Sequence, residues 1–201
     1  MKLDDPAFDA LYQYTKALSV ALGYRDPLTR LHSERVQILS TEIATSYGLP
    51  LETINLLKIA ASFHDIGKIG IPDNVLLKPG LFDMFEWQIM QKHSIIGEQI
   101  MLATELEGAK KVAVIIRHHH EQMDGQGYPD QLVGDDIPLC SRIISIADGY
   151  DAMAVIRPYH GAQSHSKIMN ILHSETEGKY DKDLMATFET IIEKSAYKSP
   201  S

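Results

Sequence analysis

Nine histidines stand at positions 32, 64, 93, 118, 119, 120, 160, 165 and 173, and several have acids beside them: His64-Asp65, His119-His120-Glu121, and further on Asp148 and Asp151. Imidazole with carboxylate and no thiolate is the donor set of iron, manganese, nickel or zinc, not of an all-oxygen calcium site. The single cysteine, Cys140, excludes an internal disulfide, a cysteine-based zinc ribbon and an iron–sulfur centre, and it fits a reducing compartment.

Spacing places these groups inward. Val112, Ile115, Ile116, His119 and His120 fall at i, i+3, i+4, i+7 and i+8, the buried stripe of an amphipathic helix, while His118 lies off that stripe. His32 shares a stripe with Arg35, Val36, Leu39 and Ile43; Leu57, Ala61, His64 and Lys68 form another, with Gly67 placed to stop that helix. Asp148 and Asp151 share a face with Ile144. A lone inward histidine is ordinarily bonded to a carbonyl, and a lone inward acid is an ion pair or a cap. This many together exceeds what a core leaves unpaired. Seven candidate ligands, His32, His64, Asp65, His119, His120, Asp148 and Asp151, are more than one ion needs. Two ions are the better count, with His64 serving one and Asp65 bridging both. Two metals about 3.5–4 Å apart clamp the attacking and leaving oxygens in phosphoester hydrolysis.

The elements carrying these residues read as helices over 7–22, 30–47, 51–66, 83–106, 108–121, 139–155, 164–174 and 183–195, with Gly and Pro punctuation between them. No stretch alternates as a strand does. The fold class is therefore all-α, a single compact multi-helix domain. Residues 1–23 read as an N-terminal helix or linker, 24–195 as the domain and 196–201 as a frayed tail. The chain of 201 residues is 44% apolar with formal charge −8, so no basic stripe for duplex nucleic acid is expected; it also has no apolar run of membrane-spanning length, and no export signal is expected. A cytoplasmic setting is expected. The eight methionines and Cys140 read as core filler, and His165 and His173 as surface residues.

His64-Asp65-Ile66-Gly67-Lys68 resembles the signature of HD metal-dependent phosphohydrolases. His119-His120-Glu121 followed by Asp124-Gly125-Gln126-Gly127-Tyr128-Pro129 resembles the second signature of the HD-GYP subfamily. Arg25-Asp26, His32-Ser33-Glu34-Arg35-Val36, Ile69 to Asp73, Leu77 to Gly80, Glu86-Trp87, His93, Ile137-Pro138-Leu139 and Ile146 to Ala152 resemble its flanks. The resemblance implies an HD-type bundle with a GYP loop that hydrolyses a cyclic dinucleotide messenger, most often cyclic di-GMP, in bacteria. A hydroxide bridging two ions would attack phosphorus, giving the linear dinucleotide and, by a second cleavage, GMP. It further implies His32, His64, Asp65 and Asp148 around one ion and Asp65, His93, His119 and His120 around the other, iron or manganese before nickel or zinc. Asp65 and Lys68 would be catalytic; Lys68, Asp151, Arg157, Gly127 and Tyr128 would meet substrate; Gly127-Tyr128-Pro129 would also dock a GGDEF-domain protein. A homodimer through the N-terminal helix is a further expectation. Leu28 stands where some members carry a Glu for a third ion, His160 where arginine or lysine is usual, Gln122-Met123 for a basic and aromatic pair, and Lys182 for a proline. The rival readings are a silent messenger-binding or cyclase-binding module and an HD hydrolase of another nucleotide.

Overall fold

The computed structural model describes residues 6–155 and 163–200. Among them regular structure is helical throughout: α1 (Pro6–Arg25), α2 (Pro27–Ser46), α3 (Leu51–Phe63), α4 (Asp73–Leu76), α5 (Met84–Gln91), α6 (His93–Leu102), α7 (Ala109–Arg117), α8 (Leu139–Ala154), α9 (His165–Glu175) and α10 (Lys182–Ile192), with 3₁₀ turns at Ile66–Gly70 and Gly134–Asp136. The all-α expectation holds; strand-like pairing among the described residues is one isolated bridge, Asp124 to Val133.

Local chemistry sets several boundaries. Asp26 ends α1 and starts α2 by accepting from the amides of Leu28 and Thr29. Asp83 and Glu86 form a reciprocal capping box at the start of α5. The core then forms where the apolar stripes meet: Val36, Leu39 and Ile43 of α2, Leu57, Ala60 and Ala61 of α3, Val112 and Ile116 of α7, and Ile143, Ile144 and Ala147 of α8 are all fully buried.

Tertiary contacts override the pattern at identifiable places. The helix expected over 51–66 ends at Phe63, and the chain tightens into the 3₁₀ turn because Gly67 packs on α6. A Cβ at Gly67 would sit 1.8 Å from the His93 carbonyl oxygen and 2.6 Å from the Gly97 nitrogen. Gly67 is thus required for close approach rather than for a left-handed helix stop. The expected helix 83–106 divides at Lys92, whose amide reaches Ile89 O at 3.2 Å, and 108–121 ends at Arg117.

Both ends of the described chain make contacts with the rest of the fold. The line drawn at residue 23 falls inside α1, whose Phe8, Leu11 and Leu22 belong to the main core. Arg25 at its end binds the carbonyls of Lys68, Ile69 and Ile71 and the Asp73 carboxylate, pinning the turn that follows α3. The tail expected to fray is tied down: Ser199 N donates to Tyr150 Oη at 2.9 Å, Ser199 Oγ to Gln163 O at 2.7 Å, and His165 N to Pro200 O at 2.9 Å. His165, expected at the surface, is buried between Tyr150 and Glu193, whereas His173 is exposed beside Glu189.

Candidate metal centre

His64, His93 and His119 each sit at a helix end or break, where carbonyls of the last turn lack amide partners. Each ring uses one of them: Nδ1–H donates to the carbonyl three residues back, Ala61 at 2.7 Å, Met90 at 2.7 Å and Ile116 at 2.6 Å. A carbonyl can only accept, so the proton is on Nδ1 and Nε2 carries a bare lone pair. The early helix ends and the break at Lys92 therefore aim these three rings.

The bare nitrogens converge. His64 Nε2 is buried with no hydrogen-bond partner. His93 Nε2 and His119 Nε2 face one another at 3.4 Å, two lone pairs with no proton between them. Between the groups lies the buried carboxylate of Asp65, with Oδ2 3.6 Å from His64 Nε2 and 3.9 Å from His32 Nε2, and Oδ1 3.6 Å from His93 Nε2. Three sets of donor atoms at this centre each lie within 4.8 Å of one another: His32, His64 and Asp148; His93, His119 and His120; and, linking them, His64, Asp65 and His119. Orphaned lone pairs around a carboxylate are costly alone and are what a divalent cation satisfies, so the residues present fit two such ions sharing Asp65.

Charge states agree with that fit. Burial would raise Asp65, but Lys68 and the surrounding histidines hold it well below the usual carboxylate range; Asp148 is held down likewise, chiefly by His32. Burial, reinforced by neighbouring rings, keeps His119 well below the ordinary imidazole value, lowers His93 despite Asp65, and takes His120 to about 3. Neutral imidazoles thus stand beside ionised carboxylates. His32 differs: burial pushes it down, yet hydrogen bonds to Asp148 and Asp151 lift it to about 9. Its Nδ1–H donates to Asp151 Oδ2 at 2.7 Å, and Nε2 lies 2.9 Å from Asp148 Oδ1. A proton there occupies the place where a cation would compete for both atoms.

Around this centre the remaining candidates fall as follows. Lys68 Nζ reaches Asp65 Oδ2 at 2.6 Å, its side chain partly exposed. Asp151 is buried behind His32 and held by Arg35 at 2.6 and 2.9 Å, because its helical position turns it toward α2. Gly127 folds back so tightly that a Cβ would lie 2.4 Å from the Gln122 nitrogen and 2.4 Å from Glu121 Cα. Tyr128 N donates to His120 O at 3.2 Å, and its ring covers His120 with centroids 4.8 Å apart. Pro129 follows through a cis bond. His118 lies outside the centre, bonded to Asp130 at 2.8 Å. Arg157 and His160 lie outside the described residues. Two residues given no role from sequence matter here. Glu121, buried, accepts from the amides of Asp130 at 2.7 Å and Leu132 at 3.1 Å and so shapes the loop, and Arg35 fixes Asp151. An acid directly after a histidine pair and a basic residue on an inward stripe were the available signals.

Comparison with known proteins agrees with this geometry. The family model described as HD domain matches residues 16–184. The chain is 38% identical over 164 residues to the cyclic di-GMP phosphodiesterase response regulator RpfG of Xanthomonas campestris pv. campestris (strain 8004), covering 82% of this chain and 43% of that protein. It is 37% identical over 171 residues to the 3'3'-cGAMP-specific phosphodiesterase 2 of Vibrio cholerae serotype O1, covering 84% and 32%. The chain thus spans less than half the length of these curated relatives. Bd1817, a HDG"Y"P protein from Bdellovibrio bacteriovorus, shares the fold, with a TM-score of 0.67 over 92% of this chain and 62% of that one at 21% identity. Because the family match runs from within α1 into α10 and takes in every candidate ligand, the chain belongs to the HD domain family.

Proposed function

We propose that this chain is a metal-dependent phosphodiesterase that hydrolyses a cyclic dinucleotide, cyclic di-GMP or 3′3′-cGAMP, to its linear form. The observation that carries the reading is that His64 Nε2 and His93 Nε2 each lie 3.6 Å from a different oxygen of one buried carboxylate, Asp65, with His119 Nε2 against His93 and a His119 ring nitrogen within 4.8 Å of Asp65 and His64. Relatives named for both substrates support the choice of class.

His32, His64, Asp65 and Asp148 would hold one ion, and Asp65, His93, His119 and His120 a second. Imidazole with carboxylate suits iron or manganese, and also accepts nickel or zinc. When bound, such ions supply Lewis-acid polarisation of the phosphoryl oxygens and acidify water. The protein's own groups do the rest. Asp65 ties the two halves together. Lys68 holds an ammonium at the rim, where it offsets charge on a phosphoryl oxygen in an otherwise acidic chain. Gly127 and Tyr128 wall the side toward the nucleotide, and Arg157 is assigned to substrate by the family pattern alone. The same proposal includes a GGDEF-domain partner on the Gly127–Pro129 loop and a homodimer through α1, which keeps Tyr14, Val20 and Tyr24 exposed. The proposal includes a cytoplasmic setting, for which the chain's use of a single, buried cysteine is the support; no helix of the described residues is long and apolar enough to cross a membrane.

The test is a product assay joined to metal analysis on one anaerobic preparation, with cyclic di-GMP, 3′3′-cGAMP, (p)ppGpp and mononucleotides as substrates. Hydrolysis confined to cyclic dinucleotides, lost on chelation and restored by manganese or iron, is the expected result. Tight binding without turnover would make the chain a silent module, and turnover of (p)ppGpp alone would make it another HD hydrolase.

A further inference from the structure

Beside the metal centre stands an aromatic side chain to which the proposed chemistry assigns no role. Trp87 sits at the start of α5, seated by the Asp83–Glu86 capping box, by its own amide bonded to Asp83 O at 2.9 Å, and by Lys78 on Glu86. Phe82 stacks behind the indole, centroids 6.3 Å apart and planes at 27°. On the side toward the centre, Tyr128 meets the indole edge-to-face at 6.0 Å and 84°. Tyr128 lies 4.8 Å from the His120 ring and 6.4 Å from His93, so a single ring separates Trp87 from two candidate ligands. Despite this anchoring, Trp87 remains 45% exposed.

A scattered exposed apolar residue is ordinary. A fixed indole contiguous with a second aromatic ring that walls a polar, phosphate-type centre is a platform for a flat ligand. A cyclic dinucleotide presents such flat groups, its purines, beside the phosphodiester. We infer that Trp87 is a substrate-binding residue that stacks one purine of the cyclic dinucleotide, with Tyr128 as the perpendicular wall of the same subsite. The inference rests on the function proposed above and adds the base-recognition element to it. Stacking uses the π-face common to all bases, so Trp87 contributes affinity without choosing guanine over adenine.

Trp87 is the chain's one tryptophan, so its emission reports the contact directly. Stopped-flow mixing of cyclic di-GMP with the manganese-loaded protein is expected to quench that emission before product forms, while ribose 5-phosphate leaves it unchanged. Trp87→Ala is expected to raise KM roughly 10- to 100-fold with kcat within about 3-fold, and Trp87→Phe to stay within about 3-fold in both. Wild-type turnover with no quenching, with KM unchanged in Trp87→Ala, would overturn the stacking role and leave the phosphodiesterase reading standing. A loss confined to kcat would likewise overturn it, by making Trp87 a support for the loop. Absence of both binding and turnover in the wild type would overturn the two readings together.

Discussion

Two groups of histidine and carboxylate grow from one stretch of chain, and they end differently. The outer group is His118, Glu121 and Asp130; the inner one contains His119 and His120. Both bring three potential ligands within reach of one another. In the outer group every side chain has protein partners. His118 has Val114 O at 2.9 Å and Asp130 at 2.8 Å, Arg117 fills the Asp130 carboxylate at 2.6 and 2.7 Å, and Glu121 accepts two loop amides. In the inner group, carbonyls take the Nδ1 protons and leave Nε2 atoms facing each other and Asp65. Proximity is the same. The difference lies in the partners: the outer acids are taken by Arg117 and by loop amides, so that group clasps the signature loop, whereas the inner nitrogens face each other and Asp65 and could hold a metal ion.

The largest effect that would break this contrast comes from exchanging neighbours. His119→Ala is expected to cost one of two bound ions per chain and at least about 10³-fold in hydrolysis of cyclic dinucleotide, while His118→Ala stays within about twofold. Metal analysis with initial rates on the two variants decides it, and equal losses would dissolve the distinction. Next, Asp151→Asn is expected to weaken metal affinity about 10- to 100-fold, because the acid behind His32 sets that ring's orientation and basicity. Chelator competition reads this with the fold verified by circular dichroism.

Glu121→Ala probes the outer group. Two loop amides lose their acceptor, at a cost of about 2–3 kcal/mol of stability, while the bound-metal count stays at the wild-type value. Thermal unfolding and metal analysis on the same sample check both halves. The smallest effect belongs to Asp130. The Arg117 hydrogen bond, stronger than the slight burial, holds its carboxyl at about 2, below the ordinary 3.8. A lowered folded-state value means that its stabilisation is complete above the unfolded value and is lost as pH falls from about 4 toward 2. Since the side chain is 35% exposed, the gap between wild type and Asp130→Asn is expected to stay under about 1 kcal/mol. Denaturant titrations should show that gap constant at pH 6–8 and shrinking below pH 4.

Much of this was legible in the residues. The 3.6-residue spacing put His32, His64, His119 and Asp65's neighbourhood on inward stripes, and those side chains are buried. His118, one position along, was separated from its neighbours by the same 100° step. The helix ends were not legible: nothing in 83–106 marks a break at Lys92, because the break is stabilised by packing on Gly67 and by the His93 ring capturing the Met90 carbonyl. The partners of Asp151 and the burial of His165 were not legible for a related reason. Their partners, Arg35 and His32 for one and Tyr150 and Glu193 for the other, come from distant segments.

By itself, then, the sequence determined the helical class and the excess of inward imidazole and carboxylate, since both follow from residue type and from a period that every helix shares. Only the tertiary structure decided which nitrogens keep a lone pair, which acids are spent on arginine or on amides, and where Trp87 stands relative to Tyr128. These depend on which distant carbonyl, amide or ring each side chain meets, and no local period carries that information.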